Sequence, residues 1–441
     1  MGLRYDESKI EAFMDLLKEY NPEYVEPLVL SNSQQRAFGK FKDGSNLLIL
    51  GKAGTGKSKL IGEFQKYIDK ETTKILHVTS TTGISAHNIG GVTINSFMGI
   101  GTGEQSADVL YKRVRSKRDI AKRLREMDIL VIDEISMMSA GMFEKIDEVL
   151  KKIRSNHKAL FGGMQVVLTG DFLQLRPVFK NAKDTRLLVQ SPLFLHHFAK
   201  DTIVLETNFR QSLDTCFNDI LDRIRTGHFT DEDVSKLRTR QLLPPPSGIV
   251  TLVSSNKKAD HINVYNLEQI NSSDVCFQAN FLGNGDLLKE LQSQLKHINN
   301  IRLRKGCRVL LIKNLNTQIG LVNGAVGTVM DTYANGVRVK FDNGCTETIT
   351  RVEFNLELDN VKVTCKQIPL ILAYGITIHR SQSLSLDSAC LDLDDCFCDA
   401  QVYVALSRIK TLNGVYLKSF DPTRITVDPV LLEYTLMQNC A

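Results

Sequence analysis

The sequence contains no apolar stretch approaching the roughly 20 residues that cross a bilayer, so a membrane-spanning role is not expected. Its opening, "MGLRYDESKIEAF", carries neither a basic leader nor a long hydrophobic segment, and a soluble, intracellular setting is expected. Paired cysteines are also missing. The nine cysteines are scattered singly except for Cys390, Cys396 and Cys398, whose spacing lacks the C-x2-C knuckles of structural zinc, so reduced and mostly buried thiols are expected. Charge of one sign is not in large excess: 55 Lys and Arg against 50 Asp and Glu leave +5, a balance that permits a nucleic-acid partner without requiring one. No internal repeat or low-complexity tract stands out. What is present is length and apolar content: 441 residues, 42% hydrophobic, are enough for two or three buried cores.

Short hydrophobic runs alternate with helical patterns. "NLLILG", "KILHVTS", "DILVIDE" and "MQVVLTGD" are apolar runs bounded by polar or glycine-rich turns, and Met142 to Arg154 repeats apolar residues at helical spacing. These are parts of a parallel α/β sheet. A second α/β region is read from near Ile203, reappearing in "GIVTLVSSN", "IPLILAYGITIH" and "GVYLKSF". Between about Arg308 and Val352, alternating segments with Asn-Gly steps at Asn323, Asn335 and Asn343 predict hairpins in a small β insertion. The expected plan is an N-terminal helical segment over 1–29, a first lobe over 30–200 and a second over 201–441.

The strongest chemical signal is "GKAGTGKS", which follows the strand-like "NLLIL". Gly51, Lys52, Ala53, Gly54, Thr55, Gly56, Lys57 and Ser58 match the phosphate-binding loop pattern, in which glycines let the backbone curl around phosphate oxygens and the next helix points its amides at the anion. Lys57 is expected to reach the β and γ phosphates of ATP, with Ser58 offering its hydroxyl to Mg2+. "ILVIDE" places Asp133 and Glu134 at the end of a buried strand, Asp133 as the metal ligand and Glu134 as the base that activates water. In "LTGDFLQL", Gln174 is placed to sense the γ phosphate and Asp171 to support the same network. No second compact acidic constellation is present for a nuclease. Arg210 in "LETNFRQ" and Arg408 in "YVALSRI" are candidates for finger arginines that a cleft between lobes would bring to the phosphate.

In this order, the motifs resemble the Pif1-like family of superfamily 1 DNA helicases, including its viral and mobile-element members, over nearly all of the chain from Leu30 onward. The resemblance implies two RecA-like P-loop NTPase lobes, a small wedge around 99–115 and an SH3-like insertion around 308–352. It implies an adenine-recognising glutamine at Gln34 in "LSNSQQRAF" and an ATP-dependent helicase that moves 5′ to 3′. "VTSTTGISAHNIGGVTINSF" and "LAYGITIHRSQSLSLD" resemble the family's DNA-contact segments. On that likeness Thr79, Ser80, Thr81, Thr82, Phe97, Thr377, His379, Arg380 and Gln382 become candidate DNA contacts. Three positions depart from the pattern: Asn95 stands where histidine is frequent, Arg176 where proline is, and Ser383 where glycine is. Single-stranded and forked duplex DNA are the expected partners of a chain acting as a monomer, with RNA and structured DNA open. An RNA-active translocase or an ATP-dependent clamp is the alternative reading. Nucleus, mitochondrion, cytoplasm and a viral replication site are equally open as its location.

Overall fold

A computed structural model describes residues 29–439, apart from 178–183, 317–318, 359–360 and 383. The helical segment expected over 1–29 falls, except for its last residue, outside the described residues, as does Ser383.

The first lobe is a six-stranded parallel sheet. In chain order the strands are β1 (Leu47–Gly51), β2 (Leu76–Ser80), β3 (Val92–Thr93), β4 (Ile129–Asp133), β5 (Gln165–Gly170) and β6 (Thr202–Leu205), and they lie in the order β3-β2-β4-β5-β1-β6. Every residue of β1, β4 and β5 is buried, which explains their unbroken apolar runs: helices cover both faces, so no side needs polar residues. The strand at Thr202–Leu205 corrects the sequence reading. The sequence places it at the start of the second lobe, yet it pairs with β1, Ile49 opposite Ile203, and forms the edge of the first sheet. A four-residue strand carries no pattern that tells which sheet it joins.

The second lobe is a smaller parallel sheet built from β7 (Thr251–Val253) and three strands much further along the chain. Between β7 and the next of these run ten strands: β8 (Val275–Gln278), β9 (Asn280–Leu282), β10 (Asn300–Leu303), β11 (Arg308–Leu311), β12 (Val326–Tyr333), β13 (Gly336–Phe341), β14 (Thr346–Thr350), β15 (Val352–Leu358), β16 (Val361–Gln367) and β17 (Leu370–Leu372). The parallel sheet resumes with β18 (Gly375–Thr377), β19 (Ala389–Asp392) and β20 (Val415–Ser419), in the order β18-β7-β19-β20. Phe217, Ile220, Leu221 and Ile224, one face of the Thr215–Thr226 helix, share its apolar core with Leu252, Leu391 and Val404.

The inserted strands form antiparallel sheets, the largest in the order β14-β13-β12-β11-β17. The Asn-Gly steps at Asn323, Asn335 and Asn343 all fall between consecutive strands of that sheet, and at Gly344 the turn takes φ +90, which favours glycine. The β-rich region is wider than 308–352, because β8 to β10 precede it and β15 to β17 follow. The segment expected as a wedge, 99–115, contains turns at Gly99, Gly101 and Gly103 and most of the helix Ala107–Ser116. Leu110 and Val114 of that helix are buried in the first lobe's core with Phe143 and Ile146.

Candidate nucleotide and DNA site

The sheet order places the chemistry. β1, β5 and β4 are neighbours and parallel, with Leu50 opposite Gly170 and Ile132 opposite Leu168, so the loops leaving their carboxyl ends open side by side. That edge is where open α/β sheets bind ligands. Gly54 (φ +86) and Gly56 (φ +80) take left-handed backbone before the helix Lys57–Glu71 begins. Space also demands glycine here. A Cβ on Gly54 would meet Asn208 Oδ1 at 2.5 Å, and one on Gly56 would meet Gln34 Nε2 at 2.7 Å.

Lys57 Nζ folds back on its own loop, donating to the carbonyls of Gly51 at 2.5 Å and Lys52 at 3.2 Å. Burial lowers its pKa, opposed by Asp171, Glu134 and Asp133 in that order. Asp133 is buried and accepts hydrogen bonds from the hydroxyls of Thr169 and, at 3.1 Å, Ser85. Glu134 follows in a left-handed conformation, φ 54, which turns its side chain off the strand. One of its oxygens is buried without a hydrogen-bond partner among the described residues. Burial, with Asp133 adding to it, pushes its carboxyl up to about 7, against the pull of Lys57 and Arg408. Gln174 is buried, and its Nε2 donates to Asp171 Oδ2 at 3.3 Å.

Gln34 closes a capping box with Ser31, accepting from the Ser31 amide at 3.0 Å, and its Nε2 donates to the Thr55 carbonyl at 3.2 Å. An amide has two N–H donors and two acceptor lone pairs, so one of each is left for a base. The exposed Phe209 ring lies against Gly56.

Both finger candidates reach this edge. Arg408 is 2% exposed, donates to the Val404 carbonyl at 2.9 Å and the Ser407 hydroxyl at 2.8 Å, and adjoins Glu134 electrostatically. Arg210 donates to Ser385 Oγ at 2.8 Å and the Ser407 carbonyl at 2.9 Å, while its Cβ packs on Gly54. Burial, reinforced by Arg408, lowers its pKa to about 9. Although Arg210 follows the last strand of the first sheet, its guanidinium is held by the second lobe.

The candidate DNA contacts divide. Thr79 and Ser80 are fully buried in β2, and their hydroxyls donate to the carbonyls of Val131 (2.8 Å) and Asp133 (3.2 Å) on β4, so they face the protein interior rather than a phosphate. Phe97 is also a correction. It is 1% exposed, its ring beneath the buried Arg123 guanidinium at 4.6 Å and beside His77, so it has no face for a base. Thr377 is buried too, its hydroxyl accepting from the Arg380 amide at 3.3 Å. Thr81, Thr82, His379 and Arg380 remain partly exposed. Gln382 is buried with an Nε2 that lacks a partner among the described residues. Arg380 lines a cleft of about 60 Å³ where Gly83 and Asn88 of the first lobe meet Gln294, Asn323 and Phe354 of the insertion. Of the departures from the family pattern, Asn95 donates to the Gly101 carbonyl at 2.9 Å, and Arg176 pairs with Asp428 (2.7 Å) and Asp399 (3.1 Å).

Comparison with known proteins settles the family. The PIF1-like helicase family matches residues 29–235, and the DNA helicase Pif1 2B domain matches 286–331. The ATP-dependent DNA helicase Pif1 of Bdellovibrio bacteriovorus is 32% identical over 413 residues, covering 93% of this chain and 92% of that protein. The chain belongs to the PIF1-like helicase family. Bacteroides sp Pif1 in complex with ADP-AlF4 superposes with a TM-score of 0.80 at 28% identity, covering 94% of this chain and 98% of that one. Bacteroides Pif1 bound to ssDNA gives a TM-score of 0.66 at 28% identity, covering 93% and 97%.

Within this PIF1-like helicase the structure adds residues that the sequence did not single out. Arg225 grips Asp171 with two hydrogen bonds, Nε to Oδ2 at 3.1 Å and Nη2 to Oδ1 at 2.6 Å. Lys52 reaches Asp222 at 2.5 Å. The Tyr403 hydroxyl, on the short helix that leads to Arg408, accepts from the Ala53 amide at 3.3 Å. A polar stripe on the Thr215–Thr226 helix was readable, but nothing in the sequence told what it faces.

Proposed function

We propose that this chain is an ATP-driven DNA helicase that moves 5′ to 3′ on single-stranded DNA and opens the duplex ahead of it. The observation that carries the reading is the convergence of Arg408 and Arg210, both anchored in the second lobe, on the loop and carboxylates of the first. A site completed only by both lobes makes hydrolysis depend on their closure, and alternating closure with unequal grip on DNA is a ratchet.

Lys57 would turn from its two carbonyls to the β and γ phosphates. The Ser58 hydroxyl and the Asp133 carboxylate form the all-oxygen donor set that magnesium takes, and these residues would hold it. Bound there, the ion neutralises charge on the phosphates. Glu134 would orient the attacking water and take its proton on the unpartnered oxygen as the water oxygen bonds to the γ phosphorus and ADP departs. Arg210 and Arg408 would meet the charge that develops, and Gln174 would register whether the γ phosphate is present. At the cleft between lobes and insertion, Arg380 would offer its guanidinium to a phosphate of the strand. Lys112, Arg113, Arg115, Arg118, Lys122 and Arg125, all exposed, offer a basic surface to the duplex phosphates.

Forks bearing only a 5′ tail, only a 3′ tail or no tail test the reading, with magnesium-ATP and a trap for released strands. Preferential opening of the 5′-tailed fork is expected, with none in a nonhydrolysable analogue. A 3′ preference overturns the polarity. DNA-stimulated turnover without displacement makes the chain a clamp, and matched RNA forks decide the RNA-active alternative.

A further inference from the structure

Hydroxyls at Thr79, Ser80, Thr81 and Ser85 all donate to β4 or to the acid that follows it. β2 lies beside β4 with Ser80 opposite Asp133, which brings the hydroxyls of Thr79 and Ser80 onto the carbonyls of Val131 and Asp133. Just past the strand Thr81 continues the series, its amide donating to the Asp133 carbonyl at 3.2 Å and its hydroxyl to the Glu134 carbonyl at 2.7 Å. These bonds fix where the helix Gly83–Asn88 starts, and the Thr82 hydroxyl accepts from the Ser85 amide at 3.3 Å in its first turn. Ser85 is 3% exposed. A serine inside a helix often returns its hydroxyl to a carbonyl of the preceding turn. Ser85 instead donates across to β4, to Asp133 Oδ2 at 3.1 Å. The other oxygen, Oδ1, accepts from the hydroxyl of Thr169 on β5.

We propose that Ser85 is a positioning residue for Asp133: together with Thr169 it holds the carboxylate from both sides, so that the lone pairs left over face magnesium in one orientation. The torsion that turns a carboxylate about its own axis has only broad preferences, so the side chain alone does not set where its oxygens point. Two hydroxyls from different elements do. A carboxylate has about four lone-pair sites, and with one hydroxyl on each oxygen, both oxygens keep acceptor capacity for the ion or its waters. Partners of this kind raise metal affinity by fixing the ligand, without touching the metal themselves. The inference rests on the reading of Asp133 as the magnesium ligand and adds the residue that orients it.

The test reads binding rather than turnover: a fluorescent ATP analogue is titrated against the full-length protein in excess EDTA and across a range of Mg2+. Ser85→Ala should leave affinity in EDTA unchanged and raise the Mg2+ needed for half-maximal tightening by about tenfold, the scale on which such partners act. Ser85→Cys, close in volume but a weak donor, should behave like the alanine variant, whereas Ser85→Thr, which keeps the hydroxyl, should stay near wild type. Thr169→Val removes the bond to the other oxygen at nearly constant size and should raise the Mg2+ requirement too, which keeps the proposal testable if Ser85 variants fold poorly. In an Asp133→Asn background, Ser85→Ala should add nothing, because the metal carboxylate is already gone; a packing role would persist there. An unchanged Mg2+ requirement in Ser85→Ala, equal losses with and without Mg2+, or an added loss in the Asp133→Asn background overturns the proposal. A wild-type Mg2+ requirement that survives Asp133→Asn would remove Asp133 as the metal ligand itself, and the two failures are therefore distinguishable.

Discussion

The two sides of the nucleotide cleft are made differently. On the first lobe, Lys57, Asp133, Glu134 and Gln174 sit at or just beyond the ends of fully buried strands, with backbone and hydroxyl contacts supplied mostly by neighbouring strands. On the second, Arg408 and Arg225 arrive at or near the ends of helices, and Arg210 is tied by its guanidinium to Ser385 and Ser407. The first side is assembled whenever its sheet is folded. The second is assembled only where the lobes meet, so on the proposed reading one side carries the chemistry and the other triggers it.

Breaking the first side should have the largest effect. Lys57→Ala is expected to abolish strand displacement while single-stranded DNA binding survives in an electrophoretic assay, because its contacts lie within the loop. Unwinding at the normal rate by folded Lys57→Ala protein would remove the loop from the mechanism. Breaking the trigger comes next. Arg408→Ala should reduce DNA-stimulated turnover by about 10³-fold and nucleotide affinity far less, with Arg210→Ala behaving similarly. Lysine should not rescue either one, since it loses the fork. Unaltered stimulation in both variants would leave no trigger to compare.

A smaller effect sharpens the chemistry. Glu134→Gln should lower turnover by about 10²-fold while ATP still binds. In the proposed role Glu134 works deprotonated, and burial with Asp133 beside it pushes its carboxyl up to about 7, so wild-type kcat/KM should fall as pH drops through about 7 and recover above it. A variant profile with the same limb would assign that titration elsewhere. The smallest effect concerns a residue the sequence placed on the DNA. Phe97→Leu should lower stability by about 1–2 kcal/mol without moving single-stranded DNA affinity, as thermal melts and binding titrations would read. Weaker DNA binding at unchanged stability would put the ring back on the track.

Legibility in the sequence follows the same division. The phosphate loop and Asp133-Glu134 were readable because their geometry is local: a buried strand, a turn and a helix start within a few residues. Arg225 was not, because its meaning lies in Asp171, far along the chain and in the other lobe. Phe97 was misread for a related reason. Its motif suggests a base contact, but Arg123, from a helix downstream, covers the ring and donates to the Phe97 carbonyl. Thr79 and Ser80 looked like phosphate ligands, yet their hydroxyls complete the carbonyls of β4. Short β6 gave no sign of its sheet, whereas the Asn-Gly turns of the insertion announced themselves.

The nesting of that insertion bears on how the chain reaches its native state. β7 pairs with β18, Thr251 opposite Gly375, and all ten inserted strands lie between them. A contact so distant along the chain carries a large loop-closure entropy unless the intervening residues are already compact. The antiparallel hairpins between them join close neighbours and can form early, drawing the ends of β7 and β18 together. The second lobe's parallel sheet is then expected to knit after its insertion has compacted, and the arginine side of the cleft to be completed with it.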